Sequence, residues 1–189
     1  MTMRLFVAIE IDDAARAAIA AEQRRLARAM GDGAAWLRFV HTEQLHLTLV
    51  FLGELGGPAA QAVVAAMALD IDRAPYSITF GGVGVFPPRG APRVVWLGLM
   101  EGEAETVLLH DAVQSRLEGA GAPRDPRPFS PHLTLARWRD GRRRERGAVR
   151  ESRERLATVR VERVTLFESR LSSGGPTYTA LAHARLTCR

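Results

Sequence analysis

LHLTLVFLG, residues 45–53, returns in part as PHLTLARW at residues 131–138. Both stretches contain the tetrapeptide His-Leu-Thr-Leu, and two of the five histidines of the chain lie in it, His46 and His132. Apolar and polar residues alternate through each copy, a period of two that is typical of a β-strand with one buried face. The copies therefore predict two related strands and indicate a divergent internal duplication.

The polar residues of the two copies predict a shared site. Successive side chains of a strand point to opposite faces, so the histidine and threonine of each copy share one face while the leucines enter a core. If the duplication brings the two polar faces together, His46 and His132 oppose each other, with the hydroxyl groups of Thr48 and Thr134 between them.

This arrangement suits in-line displacement at phosphorus, which needs a proton removed from the attacking oxygen and another delivered to the leaving oxygen. One imidazole can accept the first proton and the other can donate the second. The threonine hydroxyls can donate to the non-bridging oxygens, and no metal is required. The alternative is that each histidine is a polar residue on a half-exposed strand; the repetition in matched strands favours the catalytic interpretation.

The rest of the chain alternates between strand and helix patterns. We expect an α+β fold, a single bilobal domain over residues 1–189 in which two pseudo-symmetric antiparallel-rich sheets with outer helices surround a central cleft. Asp12 or Asp13 is the predicted N-cap of the first helix and Gly31 follows its end. We interpret GGVGVFPPRGAP, residues 81–92, as a loop. Besides the two motif strands, the predicted strands are residues 4–10, 36–40, 76–80, 93–99, 159–167 and 178–186, and the predicted helices end near residues 30, 69 and 118.

Composition limits the classes of function. The 189 residues are 47% apolar and carry a net charge of +5, and all 26 basic residues are arginine. The absence of lysine from the sequence excludes a Walker A loop, a Schiff base and a nucleotidyl-lysine intermediate. Guanidinium groups suit a phosphate-bearing partner. The single cysteine, Cys188, excludes an internal disulfide, and the short apolar runs predict no membrane segment and a cytoplasmic protein.

The chain resembles the two-histidine phosphoesterase superfamily, and within it the bacterial LigT-like RNA 2',3'-cyclic phosphodiesterases. The resemblance runs nearly end to end. The blocks that carry it are RLFVAIE (4–10), LHLTLVFLGEL (45–55), GVGVFPP (82–88), PRVVWLGL (92–99), RPFSPHLTLAR (127–137) and VTLFESRLSSGGPTYTAL (164–181).

The resemblance implies metal-independent hydrolysis of 2',3'-cyclic phosphates at RNA 3' ends, such as those of tRNA fragments, to 2'-phosphomonoesters. In some members a reverse reaction joins RNA ends through a 2'-5' linkage. The resemblance implies no metal or other cofactor, and nothing in the sequence suggests more than a monomer. By position, His46 resembles the proton donor and His132 the base, while Thr48, Thr134 and Arg137 resemble the residues that hold the phosphate.

Arg137 presents a geometric difficulty. It follows His132 by five positions, so on an unbroken strand its side chain would face away from the cleft. We expect a bulge or the end of the strand near Ala136 to turn it towards the site; otherwise Arg137 is structural.

Other candidate residues receive structural interpretations. His41 precedes the first motif and is expected to be solvated, and His110 and His183 are expected to be structural. We expect Tyr178 to pack beneath the site. The arginine run at residues 142–146 either follows an RNA backbone or forms a solvated loop. Two other functions remain open: cleavage of small cyclic nucleotides or of a cyclic phosphate derived from ADP-ribose, and an RNA-binding module without catalysis.

Overall fold

The computed structural model of the protein describes residues 2–139, 149, 154–172 and 175–188. The arginine run at residues 142–146 lies outside them. Two short 3₁₀ turns, Gly31–Trp36 and Thr42–Gln44, flank β2. In order, the elements of the described part are β1 (Thr2–Glu10), α1 (Asp13–Met30), β2 (Leu37–Phe39), β3 (His46–Gly56), α2 (Gly57–Met67), β4 (Ile71–Asp72), β5 (Tyr76–Phe86), β6 (Val94–Glu101), α3 (Glu103–Gly119), β7 (Leu133–Trp138), β8 (Arg155–Val161), β9 (Arg163–Ser172) and β10 (Gly175–Thr187).

The strands of the described part form one hydrogen-bonded sheet, in which two groups of strands meet in the middle of the strand order. That order is β4-β10-β9-β1-β3-β7-β6-β5-β8, and β2 pairs with β7 beside it. The motif strands β3 and β7 are the central neighbours, and their antiparallel ladder contains a single pair, Leu47 with Leu133. Every other neighbouring pair is antiparallel except β10 with β4. The predicted α+β class is confirmed.

Helix α1 begins and ends where the sequence predicts. The Asp12 carboxylate accepts a hydrogen bond from the backbone N–H of Ala15 at 2.8 Å, which satisfies one of the free donors of the first turn. Gly31, with φ of 52°, ends the helix. From α1, the Gln23 side-chain amide donates to the backbone carbonyls of Val40 and Leu135, both at 2.9 Å. The helix is therefore fixed to β7 and to the segment that follows β2.

The predicted loop over residues 81–92 is wrong in its first half. GGVGVF continues β5 as far as Phe86 and pairs with β6. A Cβ atom on Gly84 would lie 2.2 Å from the Trp96 ring, so glycine is needed there to admit the indole from the neighbouring strand. The local sequence around these glycines indicates a turn. In the structure, Gly84 instead permits the close approach of the Trp96 side chain.

The predicted strand over residues 159–167 is two strands. β8 ends at Val161 and pairs with β5, whereas β9 begins at Arg163 and pairs with β1 and β10. The alternation of apolar and polar residues is interrupted where two polar residues, Glu162 and Arg163, follow each other, and the break between the two strands falls there. Because one residue joins strands from opposite halves of the order, the sheet must curve strongly enough to bring those halves together.

None of the helices among the described residues has the length and apolar character that crossing a membrane requires.

Arg116 of α3 caps the end of α2. Its guanidinium donates to the backbone carbonyls of Ala66 at 3.3 Å, Leu69, and Asp70 at 2.7 Å. The last carbonyls of a helix have no partner within the helix, so this side chain supplies donors that the local sequence lacks. It also ties two helices together.

We expect Arg116→Gln to lower the free energy of unfolding by about 1–2 kcal/mol, because charged hydrogen bonds to three carbonyls are lost. Urea denaturation followed by circular dichroism measures the change. The matched control is Arg24→Gln on the exposed face of α1, for which we expect a change of less than about 0.5 kcal/mol. Equal losses in the two variants would show that Arg116 does not cap α2.

Candidate active site

The two motif copies adopt the same pattern of burial over seven residues. From His46 to Leu52 and from His132 to Trp138, partly buried and buried residues alternate in the same sequence, with one exposed residue at the sixth position. Leu47 and Leu133, at the pair that joins the strands, are both 0% exposed. The antiparallel register through this pair sets each histidine across from the threonine of the other copy. The proposed duplication therefore extends to the local environment of the residues.

A β-bulge turns Arg137 towards the cleft. Along the ladder between β6 and β7, Val95 pairs with Ala136 and Trp96 pairs with Thr134, so Leu135 is an extra residue. Leu135 and Ala136 are both buried, and Arg137 then emerges on the same side as Thr134. The bulge expected from the position of Arg137 is present.

β3 carries bulges of the same kind. Val7 pairs with Val50 and Ala8 pairs with Thr48, which leaves Leu49 extra. A second irregularity follows at Leu52 in the same ladder. The residue that corresponds to Arg137 in this copy is Phe51, which is 38% exposed. The same backbone device therefore presents a guanidinium on one strand and an aromatic ring on the other.

Each imidazole is held by the carbonyl two residues before it. His46 Nδ1 lies 2.7 Å from the Gln44 carbonyl oxygen, and His132 Nδ1 lies 2.7 Å from that of Ser130. A carbonyl oxygen only accepts, so Nδ1 must carry the proton in both rings. In a neutral ring this leaves Nε2 free to accept, and His46 Nε2 lies 3.1 Å from the Thr48 hydroxyl. Both histidines therefore present the same nitrogen for proton transfer.

The carbonyls are supported differently in the two copies. The Gln44 side-chain amide donates to the Pro176 carbonyl in β10, which fixes the segment before β3. Before β7, the ring of Phe129 stacks on His110 of α3, with centroids 4.1 Å apart and planes within 4°. The sequence analysis did not identify Gln44 or Phe129, since their roles depend on partners far away in the chain.

Aromatic rings surround both histidines. Phe6 lies 5.0 Å from the His46 ring, and Tyr178 meets that ring edge-on at 5.4 Å. The His132 ring meets Phe86 edge-on at 5.1 Å, and the ring of Trp96 lies 6.4 Å away. Tyr178 packs beside the site as expected. Phe6 and Trp96 come from predicted strands and Phe86 from the predicted loop over residues 81–92, and none of the three was predicted to lie at the site.

Burial lowers the pKa of both imidazoles from the ordinary value of about 6.5, because the surrounding rings exclude water from the charged form. The hydrogen bonds to the Gln44 and Ser130 carbonyls raise each pKa and offset part of this effect. The positive charge of Arg137 lowers both, and His132 further lowers the pKa of His46. The site therefore favours neutral imidazoles that are ready to accept a proton.

All five predicted site residues line one cleft of about 470 Å³. Arg4, Arg38 and His41 line it as well, so His41 lies at the site and not only in solvent. No aspartate or glutamate is found among the described residues of its lining. In the same part of the chain, no three histidine, cysteine, aspartate or glutamate side chains form a group that could hold a metal ion. The cleft therefore suits an anion.

The remaining histidines lie elsewhere. His110 stacks on Phe129, as described above. His183 Nδ1 lies 2.9 Å from the Thr165 hydroxyl, which donates to the Glu10 carboxylate. Both take part in contacts between elements, in agreement with the structural interpretation from the sequence.

Comparisons with known proteins agree on one family. Residues 7–172 match the family model of the 2'-5' RNA ligase superfamily. An RNA 2',3'-cyclic phosphodiesterase of Archaeoglobus fulgidus is 35% identical over 180 residues, which cover 95% of this chain and 98% of the relative. A protein of the same name from Thermus thermophilus is 34% identical over 187 residues, covering 95% of this chain and 88% of the relative.

The crystal structure of E. coli LigT complexed with 3'-AMP superposes with a TM-score of 0.80. It is 28% identical and covers 99% of both chains. The fold, the twin motifs and the sequence similarity thus agree over almost the whole length. The chain belongs to the 2'-5' RNA ligase superfamily, the family of two-histidine phosphoesterases that its repeated motif resembles.

Proposed function

We propose that the protein hydrolyses 2',3'-cyclic phosphates at RNA 3' ends to 2'-phosphomonoesters. The observation that carries this proposal is the pair of imidazoles in one cleft, each held through Nδ1 by a backbone carbonyl and each presenting Nε2. Two proton carriers at one anion site match a displacement at phosphorus, in which the attacking oxygen loses a proton and the leaving oxygen gains one. The relatives named RNA 2',3'-cyclic phosphodiesterase support the choice of substrate.

The reaction uses the two histidines in opposite protonation states. Neutral His132 accepts a proton from water through Nε2 as the water oxygen forms a bond to phosphorus. The bond from phosphorus to the ribose O3' breaks, and protonated His46 donates its Nε2 proton to that oxygen. The products are a 2'-phosphomonoester and a 3'-hydroxyl, and solvent then returns the histidines to their starting states. The division of roles is taken from the family's pattern. The two histidines have nearly the same geometry, so their contacts alone do not distinguish the base from the acid.

The remaining site residues hold the phosphate. The Thr48 and Thr134 hydroxyls donate to the non-bridging oxygens as negative charge grows on them. The Arg137 guanidinium, turned into the cleft by the bulge at Leu135, offers a planar pair of donors to the same group. With an RNA 5'-hydroxyl in place of water, the same steps would form a 2'-5' linkage.

The whole chain acts as one catalytic domain in this proposal. One histidine comes from each group of strands, and the groups are joined at a single backbone pair, so neither group contains a complete site. Both histidines belong to one chain, and a monomer is therefore sufficient. The RNA ends include those of tRNA fragments, encountered in the cytoplasm.

We expect turnover to persist in excess EDTA, because the cleft supplies imidazole, hydroxyl and guanidinium groups but no described carboxylate for Mg²⁺ or Mn²⁺. The test incubates the pure protein with an RNA that ends in a 2',3'-cyclic phosphate and identifies the product by mass and by its resistance to 3'-specific phosphatase. Activity that is lost on chelation and restored by a divalent ion would refute the mechanism. A 3'-phosphate product would reverse the assignment of the leaving oxygen.

The dependence of kcat/KM on pH should be bell-shaped, with its maximum below pH 6.5. The base must be neutral, so its contribution is lost as pH falls below its pKa, and the acid must be protonated, so its contribution is lost as pH rises above its pKa. Because both pKa values are lowered in the free protein, the midpoint between them lies below 6.5. A maximum above pH 7 would show that burial does not lower the pKa of both imidazoles.

Replacement of either histidine should remove one limb of that profile. We expect His132→Ala and His46→Ala each to lower kcat by at least about 100-fold, and the double variant to be little worse, since the residues act in one step. His183→Gln, outside the cleft, is the control. A His46→Ala or His132→Ala protein with nearly full turnover would falsify the assignment of the site.

A further inference from the structure

Arg38 stands beside Arg137 at the mouth of the cleft. β2 pairs with β7 in antiparallel register, and Arg38 and Arg137 are directly opposite partners. Directly opposite residues of such a pair have Cβ atoms about 4.5–5.5 Å apart and project on the same face. Both side chains line the cleft and both residues are exposed. Two guanidinium groups therefore occupy neighbouring positions on one wall.

This placement is unfavourable without an anion. Like charges directly opposite on neighbouring strands destabilise a sheet. Within the described residues, neither Arg38 nor Arg137 forms an ion pair with a carboxylate, and the described lining of the cleft contains none. Arg4, the third arginine of the cleft, differs because its guanidinium lies 5.1 Å over the Phe51 ring. An anion bound between the other two guanidinium groups would offset their repulsion.

The Arg38 side chain also has a defined place. Its Nη2 lies 3.0 Å from the position that a Cβ atom of Gly175 would occupy, at the start of β10. A glycine there, with φ of 115°, leaves room for the guanidinium against the hairpin between β9 and β10. Arg38 thus reaches from β2 towards the opposite group of strands.

The terminal cyclic phosphate does not need both arginines. It carries one negative charge, and Arg137 with the two threonine hydroxyls already provides donors for it. β2 lies beyond β3 along the same edge of β7, since Leu47 pairs with Leu133 whereas Arg38 pairs with Arg137. Arg38 lies on β2 beside Arg137, on the side away from β6. A phosphate held by Arg137 therefore leaves Arg38 available for a second, neighbouring phosphate.

We propose that Arg38 forms a second anion subsite that binds the phosphodiester preceding the cyclic phosphate in the RNA chain. This inference rests on the proposed function and adds a preference to it: the protein distinguishes a polynucleotide end from a free nucleoside 2',3'-cyclic phosphate. Arginine suits the task because its fork of N–H donors binds two oxygens of one phosphate.

The test compares a nucleoside 2',3'-cyclic phosphate with a dinucleotide that ends in the same cyclic phosphate and has an internal phosphodiester. We expect the wild-type protein to have the higher kcat/KM on the dinucleotide. Arg38→Gln should lower the ratio of the two kcat/KM values by about 10-fold or more, as expected for the loss of a charged hydrogen bond to phosphate. Arg160→Gln, on the exposed face of β8, should leave the wild-type ratio in place.

Salt dependence provides a second measurement. A residue that neutralises a phosphate contributes about 0.7–1 to the slope of the logarithm of kcat/KM against that of salt concentration. Arg38→Gln should reduce the slope for the dinucleotide by that amount, and Arg38→Lys, which keeps the charge, should retain most of it. Equal losses on both substrates would overturn the proposal, because Arg38 would then bind the terminal phosphate. Wild-type kcat/KM values of Arg38→Gln on both substrates would overturn it as well.

A binding experiment separates this inference from the proposed function. The probes are the corresponding products, a nucleoside 2'-monophosphate and the dinucleotide that ends in a 2'-phosphate, with affinity measured by calorimetry. If the wild-type protein cleaves neither cyclic phosphate, the proposed function is wrong. A preference for the dinucleotide that Arg38→Gln abolishes would still support the subsite, and equal affinities for the two probes would reject it.

Discussion

A single backbone pair, Leu47 with Leu133, holds the two halves of the candidate active site in register. Both leucines are fully buried, so the junction of the two strand groups is also part of the hydrophobic core. Each leucine is flanked on its strand by a histidine and a threonine on the opposite face. A shift of one residue at this pair would turn the face that carries the histidine and threonine of one strand into the core. Burial of the leucines therefore fixes the relation between the two imidazoles.

The bulges at Leu49 and Leu135 give the site its chemical asymmetry. Each bulge buries two consecutive residues and returns the chain to the cleft face at the next position. Phe51 occupies that position on β3 and Arg137 on β7. The repeated backbone geometry thus presents two equivalently placed histidines, with a guanidinium group on the strand of one and an aromatic ring on the strand of the other. The two related strands therefore carry different side chains at equivalent positions of the cleft.

The surroundings of the two histidines determine their pKa values in opposing ways. Aromatic rings lower the pKa of each imidazole by excluding water, and the carbonyls of Gln44 and Ser130 partly offset this effect. The same carbonyls orient Nε2 towards the cleft. One is supported by a hydrogen bond from Gln44 to Pro176 and the other by the stacking of Phe129 on His110. The two copies therefore share the contact to the imidazole and differ in what supports it.

The sequence by itself determined which residues are candidates for the site and which of their side chains share one face of a strand. His46, Thr48, His132 and Thr134 were predicted from a motif that repeats on two alternating strands, and the position of Arg137 required the bulge that the structure contains. Periodicity records which side chains share a face, and it is a property of neighbouring residues. The tertiary structure alone decided the pairing: that GGVGVF is a strand beside Trp96, that β8 pairs with β5 whereas β9 pairs with β1, and that Arg38 stands opposite Arg137. Those outcomes depend on hydrogen-bonded ladders between distant segments, whose partners have no local signature in the chain.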